Sequence, residues 1–161
     1  MVVFKNAVVI FCLLVASTFV AAQITKPAAK TGPVVKFKPP KLKTSLGSRS
    51  DSLVTVSVDE ATNLITLPLT VTDDKKAVYT IASYQCIYKK RGVTEDEESG
   101  KVSPMSNIVA QVFKTTPLSE IWKKTITEEL KAGEEITFLD VVVKDAQGRL
   151  MFAPSIKLIV K

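Results

Sequence analysis

The stretch AVYTIASYQCIYKK at 77–90 constrains the fold more than any other part of this chain. Its residues alternate between two faces, and period-two alternation predicts a β-strand. One predicted face carries Val78, Thr80, Ala82, Tyr84, Cys86 and Tyr88, and the other carries Tyr79, Ile81, Ser83, Gln85 and Ile87. Both faces are partly apolar, which is typical of a strand in the middle of a β-sandwich.

Shorter stretches on either side repeat the strand pattern. LVTVSV at 53–58 and SNIVAQVFK at 106–114 are predicted strands, and NLITLPLTVT at 63–72 alternates as well. The core face of this last strand is predicted to carry Ile65, Leu67, Leu69 and Val71. Pro68 has no amide hydrogen, so the strand should lie at an edge or contain a bulge. DDKK at 73–76 predicts the turn that follows.

An acidic run lies within RGVTEDEESGKVSP at 91–104. A calcium loop would place its acids at alternating positions, with a fixed glycine and a final glutamate. Here the acids from Glu95 to Glu98 are consecutive. The run therefore predicts a solvated hairpin loop, and no metal site is expected.

A helix is predicted at about 117–131, where the apolar period changes. Thr116 is a good N-cap, Pro117 suits the first helical position, and Gly133 follows where a left-handed C-terminal cap is needed. The apolar residues at helical spacing are Leu118, Ile121, Trp122, Ile126 and Leu130. Trp122 is interpreted as the anchor that fastens the helix to the sheet, with ligand stacking as the alternative.

A β-hairpin is predicted to close the chain. EITFLDVVVK at 135–144 and LMFAPSIKLIV at 150–160 are joined by DAQG, where Gly148 supplies the positive backbone angle of a tight turn. The predicted fold class is therefore mainly β: an Ig-like antiparallel β-sandwich with one short α-helix before a C-terminal β-hairpin.

Residues 1–22 have the layout of a secretory signal peptide. Lys5 precedes the apolar run AVVIFCLLVASTFV, and small residues precede a predicted cleavage between Ala22 and Gln23. The alternative is a transmembrane anchor, but the run is short for a span of about 20 residues and no basic stop follows it. We therefore expect export to the periplasm or cell envelope, with no transmembrane segment after cleavage.

Residues 23–38 are predicted to form a basic tether rich in proline and lysine, with the folded body at 39–161. The net charge of +6 is unevenly placed, since residues 23–50 contain no acid. The tether can contact an anionic surface or act as a solvated spacer. Nucleic-acid binding is not expected, because the body shows no basic patch interleaved with aromatic residues.

Cysteine chemistry offers two readings. Cys12 is predicted to leave with the signal peptide, so Cys86 remains as a single cysteine and cannot form a disulfide within one chain. It is either buried as a small hydrophobic residue or available for an interchain bridge. Its place in an alternating apolar strand favours burial.

The chain has no histidine, which removes Ser–His and Cys–His nucleophiles and the usual zinc sites. It has no glycine-rich phosphate loop, and the spacing of Asp140 and Asp145 gives no reason to expect a coupled acid pair. We therefore expect a protein that is not an enzyme, without catalytic residues, cofactor or metal.

The C-terminal stretch resembles the C-terminal domain of GldM/PorM, a component of gliding motility and type IX secretion. That domain has a helix ending LK.GD, a strand I.FEDI, a turn GPDG and a final alternating strand with lysine. The residues here that match this pattern are Leu130, Lys131, Gly133, Ile136, Phe138, Asp140, Val141, Gly148, Ile156, Leu158, Val160 and Lys161. PPKLKTSLGS and YTIASYQCIYKKRG are similar to upstream parts of the domain, so the resemblance covers about 36–161.

The chain also departs from that pattern. Leu139 stands for the family glutamate, and Ala146 and Gln147 stand for Pro–Asp of the turn. A signal peptide and a short tether replace the transmembrane helix and periplasmic rod of the full-length family protein.

The resemblance implies a stand-alone periplasmic interaction module that binds envelope proteins such as secretion or motility machinery, and it allows a homodimer. The alternative is a secreted β-sandwich that binds a glycan or a protease. The sequence does not identify the partner-binding residues.

Overall fold

A computed structural model describes residues 37–161, which form a mainly-β, sandwich-like fold with eight strands and two helices. In chain order the elements are β1 (Leu42–Leu46), β2 (Leu53–Val56), α1 (Val58–Thr66), β3 (Leu69–Asp73), β4 (Val78–Glu95), β5 (Val102–Phe113), α2 (Glu120–Glu129), β6 (Glu135–Lys144), β7 (Leu150–Ala153) and β8 (Ile156–Val160). The predicted mainly-β, sandwich-like class is confirmed, although the structure contains a second helix and one parallel strand pair, β2 with β8.

The strands follow the order β1-β3-β4-β6-β8-β2, with β5 on β4 and β7 on β6. All pairs are antiparallel except β2 with β8. Two strands change partners along their length: β4 pairs first with β3 and then with β5, while β6 pairs first with β8 and then with β7. β4 therefore connects β3 to β5, and β6 connects β8 to β7.

A bulge in β4 explains why its predicted faces are only partly right. The β4–β6 register shifts between Ile81 and Ser83 and again before Gln85. Tyr79 and Ile81 pack against the core before these shifts, whereas Tyr84, Cys86 and Tyr88 are buried after them. An extra residue bends a strand and exchanges its faces, which strict alternation does not anticipate.

The strand predicted at 63–72 is wrong in its first part, which belongs to α1, whereas its last part is confirmed as β3 (Leu69–Asp73). The Ser57 hydroxyl accepts a hydrogen bond from the Glu60 amide at 3.2 Å, and this S-x-x-E pattern is typical of a helix start. Ala61, Leu64 and Ile65 are buried at helical spacing. Val58, predicted as a strand end, starts this helix, and Pro68 lies in the link between α1 and β3.

The loop predicted at 91–104 is also wrong in extent. β4 continues to Glu95 and β5 begins at Val102, so only 96–101 connects them. The two strands pair along this whole length, from Tyr84 opposite Phe113 to Glu95 opposite Val102. The polar composition had predicted that the backbone groups of this segment face water. Strand pairing gives them hydrogen-bond partners within the protein instead.

The second helix is shorter than predicted, and its cap is Ser119 rather than Thr116. The Thr116 hydroxyl instead accepts a hydrogen bond from the Leu69 amide at 2.6 Å, which ties the segment before α2 to β3. Leu118, Ile126 and Leu130 are buried as the spacing predicts, but Ile121 is 77% exposed.

Gly133 and Gly148 both have the positive φ angles that were predicted, +87° and +79°. Gly133 is not a helix cap, however, because its amide donates to the Val160 carbonyl of β8 at 2.7 Å. The predicted hairpin is confirmed, but its second strand is interrupted at Pro154 and Ser155, so β7 and β8 are separate. The Pro154 carbonyl accepts a hydrogen bond from Thr44 of β1 at 2.6 Å.

Cys86 is fully buried, as the alternation predicts. The predicted signal peptide, its cleavage at Ala22 and Gln23, and nearly all of the 23–38 tether lie outside the described residues. Within residues 37–161, neither helix is long and apolar enough to cross a membrane.

Candidate interaction surface

A two-stranded arm extends from the body of the fold. Pairing between β4 and β6 ends at Lys89 opposite Glu135, whereas β4 and β5 remain paired as far as Glu95. Every residue from 91 to 102 is exposed. A two-stranded ribbon without a third strand is marginally stable in water, so the arm depends on its own turn and on its base.

Asp96 organises the tip of the arm. Its carboxylate accepts hydrogen bonds from the amides of Glu98 at 3.2 Å and Ser99 at 2.8 Å, and from the Ser99 hydroxyl at 2.8 Å. These donors, the Ser99 amide above all, hold the pKa of Asp96 below its usual value. The tip therefore stays ordered and acidic.

A buried carboxylate anchors the base of the arm. Glu134 is 2% exposed, and it accepts hydrogen bonds from the Tyr88 hydroxyl at 2.5 Å, the Lys131 amide at 3.0 Å and the Arg91 amide at 3.1 Å. Burial, followed by the hydrogen bond to Glu134, raises the pKa of Tyr88. The arrangement is structural: it gives a buried carboxyl group three hydrogen-bond donors and fixes where β4 leaves the body.

Gly133 packs directly against the arm. A Cβ atom at this position would lie 2.8 Å from the Arg91 Cδ atom, so the Arg91 side chain covers the glycine. This close approach, together with the positive φ, explains why glycine stands here.

The free edge of β5 is the most unusual feature of the described surface. Among residues 37–161, β5 pairs only with β4, which leaves its other edge open over 12 residues. The sequence VSPMSNIVAQVF contains no charged residue. Natural edge strands are usually protected from pairing by charges, proline, short length or bulges. β5 contains Pro104 near its start, but from 105 to 113 it has neither a charge nor a proline.

Apolar side chains are exposed on both faces of β5. Ile108 and Val112 are each 61% exposed on the outer face, which also carries Lys89 and Gln85 of β4. Met105 and Val109 are exposed on the inner face, on the same side as Tyr88. Within the described residues, β5 therefore presents both backbone groups on its open edge and exposed apolar side chains to a partner.

A shallow apolar cleft lies on the inner face between β5 and α2. Its volume is about 130 Å³, and its lining residues are Tyr88, Lys90, Val109, Ile121, Trp122, Thr125 and Ile126. The Trp122 ring packs edge-on against Phe113, with 5.4 Å between ring centroids and an interplanar angle of 87°. Trp122 thus joins α2 to β5 and leaves part of its ring in the cleft.

A row of charged residues crosses the outer face of the sheet beside β5. Glu135 lies between two lysines, with its Oε1 atom 3.5 Å from Lys89 Nζ and its Oε2 atom 2.7 Å from Lys157 Nζ. The lysines lower the pKa of Glu135, with the Lys157 hydrogen bond as the largest cause. The row marks where the polar middle of the sheet ends and the apolar β5 begins.

The residues singled out from the sequence do not form one site. Trp122 lies in the cleft and Gly133 at the base of the arm. Phe138 is in the core beside Tyr84, with 6.0 Å between ring centroids. Asp140 and Gly148 lie in β6 and in the turn after it, away from the arm. Those three positions shape the fold rather than this surface.

The sequence interpretation missed β5 as a functional element, although a signal was present. The run at 102–113 has apolar residues in both alternating sets and lacks charge, which is unusual beside an acidic loop. What could not be seen is that nothing in the described fold covers its second edge.

No protein-family model matches this chain, and no curated protein matches it. The GldM/PorM resemblance therefore remains a prediction from the motifs.

Proposed function

We propose that this chain is a non-enzymatic protein-interaction module of the cell envelope, and that it binds through the β4–β5 arm and the open edge of β5. The observation that carries this proposal is an uncharged 12-residue edge strand with exposed apolar side chains. Strand addition to an open edge is a common mode of protein recognition, because main-chain hydrogen bonds give affinity and alternate side chains give specificity.

The proposal includes export and a place near the secretion or gliding machinery. The support is the signal-like segment at 1–22 and the resemblance to the GldM/PorM C-terminal domain. The order of α2, β6, β7 and β8 and the positive φ angles of Gly133 and Gly148 are compatible with that resemblance. The basic tether adds a salt-sensitive attraction, which weakens as the screening length falls to about 8 Å near 0.15 M salt.

The experiment compares partner capture by three proteins. Protein purified from cells that express the full chain is immobilised as wild type, Ile108→Lys and Leu150→Lys, and each is incubated with native envelope extract. Leu150 is a matched control, since it is 62% exposed in β7 against 61% for Ile108 in β5. A lysine on the edge strand opposes strand pairing, so only Ile108→Lys should lose the envelope proteins that wild type retains. Equal capture by all three proteins contradicts the proposal.

A second candidate function is a secreted binding module for a glycan or a protease. The observation that favours it is the cleft that exposes Ile121 beside Trp122. Its volume of about 130 Å³ is smaller than the roughly 300–1,000 Å³ of typical small-molecule sites. The edge strand therefore supports the first proposal better.

A further inference from the structure

We infer that a second copy of this chain occupies the open edge of β5, pairing antiparallel about a twofold axis that passes through Val109. The inference rests on the proposed function, because it takes the β5 edge to be a protein-binding surface. One edge pairs with one strand at a time, so the second copy and an envelope partner compete for it. It predicts a symmetric dimer in which the sheet continues from one copy into the other.

The register follows from where β5 can donate hydrogen bonds. Pro104 has no amide hydrogen and interrupts an edge ladder, while the strand ends at Phe113. The uninterrupted stretch is 105–113, and its middle residue is Val109. A strand that pairs with its own copy over this stretch must place Val109 opposite Val109.

This register matches the side chains on both faces. A twofold axis perpendicular to the sheet keeps inner faces together and outer faces together, and residues directly opposite each other share a face. On the inner face, Asn107 meets Gln111 of the other copy, and Met105 meets Phe113. Amide pairs can exchange hydrogen bonds, and Met105 would cover what remains exposed of Phe113, which is 7% exposed in one copy.

The outer face is also compatible with self-pairing. Ile108 meets Ala110 and Ser106 meets Val112, so the exposed apolar side chains of the two copies form one continuous patch. No like charges oppose each other, because residues 102–113 carry no charge. A strand with even one charge near its centre would place that charge against its own copy.

Charges at the ends of the strand select the antiparallel direction. The acidic residues 95–98 lie at the arm tip, next to the start of β5, and Lys114 follows its end. Antiparallel pairing directs each acidic tip toward the Lys114 end of the other copy. Parallel pairing would place the two acidic tips side by side, which is unfavourable.

The first experiment measures molar mass by sedimentation equilibrium over a range of protein concentrations. Wild type and Leu150→Lys should both reach a dimer mass, whereas Ile108→Lys should remain a monomer with an unchanged circular dichroism spectrum. A wild type that stays monomeric throughout the range overturns the inference. A dimer that persists in Ile108→Lys also overturns it, because the copies then meet elsewhere.

The second experiment tests the axis by disulfide formation. Opposite Cα atoms in antiparallel strands are about 4.5–5.5 Å apart, within the range that a disulfide spans. Val109→Cys should therefore form a dimer linked through position 109 under mild oxidation, as mapped by peptide mass. Val112→Cys is the matched control and should not link to itself, because the two copies of residue 112 would lie roughly 20 Å apart. Linking at 112 but not at 109 would reject this register.

The two proposals fail separately. A monomeric wild type that still captures envelope proteins through β5 rejects the second copy and leaves the proposed function intact. A dimer that is lost in Ile108→Lys, with identical envelope capture by all three proteins, supports the second copy and places other partners away from this edge.

Discussion

Asp140 shows how one residue can serve a bend in a strand. Its φ of +50° is in the left-handed region, which aspartate enters more readily than most residues and which β-branched residues avoid. The residue lies in β6 between the part paired with β8 and the part paired with β7, opposite the interruption at Pro154 and Ser155. Both strands of the hairpin therefore change direction at the same level.

We predict that Asp140→Val lowers the free energy of unfolding by about 1–3 kcal/mol, the usual range for a residue forced into a sparsely populated backbone region. Asp140→Gly should be close to wild type, since glycine enters this region without a steric penalty. Urea unfolding of the three proteins measures the difference. Equal losses in both variants would instead indicate that the carboxylate itself matters.

Cys86 should behave as an inert part of the core. The side chain is fully buried, and burial raises the pKa of its thiol to about 12, so the reactive thiolate is scarce. We predict that a thiol reagent modifies native protein at least ~1,000-fold more slowly than protein unfolded in denaturant.

Cys86→Ser should lower the free energy of unfolding by about 1–2 kcal/mol and leave the oligomeric state unchanged. Loss of a covalent dimer in that variant would identify an interchain bridge.

Trp122 should contribute to stability through its contact with Phe113. Because the ring is only half-buried, we predict that Trp122→Ala lowers the free energy of unfolding by less than the roughly 3–5 kcal/mol of a fully buried aromatic residue. Thermal melting gives the measurement. A variant that melts like wild type but loses binding would place Trp122 in a ligand site and favour the second candidate function.

At the scale of elements, the outer face of the sheet is tied together by charge. Glu135 of β6 bridges Lys89 of β4 and Lys157 of β8, so one carboxylate links three neighbouring strands. Each exposed pair contributes little alone, about 0–1 kcal/mol, but a shared carboxylate loses both partners at once when it is protonated.

The ion pairs of Glu135 make the free energy of unfolding depend on pH. The pKa of Glu135 is lowered below its unfolded value of 4.5, so its contribution is present above about pH 4.5 and is lost as the pH falls through the lower folded value. We predict that Glu135→Gln is less stable than wild type at pH 7 and that the difference narrows below pH 4.5. Urea midpoints at several pH values test this. A difference that stays constant with pH would show that the charge is not responsible.

At the scale of the whole molecule, the proposed function includes export. We predict that protein recovered from the envelope begins at Gln23, with or without cyclisation of that residue. Intact mass measurement checks the start point. A mass that retains the apolar run of residues 1–22 contradicts the signal-peptide interpretation.

The sequence alone determined the parts of the fold that local chemistry controls. Alternation predicted β4 and β6, Gly148 predicted the hairpin turn, and helical spacing of apolar residues predicted α2. These features depend on residues close together in the chain. The same local rules could have found α1, because Ser57 and Glu60 form a helix-start pattern that the alternation at 64–71 obscured.

Only the tertiary structure decided which strands bend and which edge stays open. The bulge that exchanges the faces of β4, the positive φ of Asp140 and the β5 edge that no strand within residues 37–161 pairs with depend on neighbours far along the chain. A strand edge is open only when no other segment covers it, and one strand's sequence does not contain that information. The candidate surface follows from this non-local fact, whereas the chemistry that makes it suitable, an uncharged and apolar strand, was already present in the sequence.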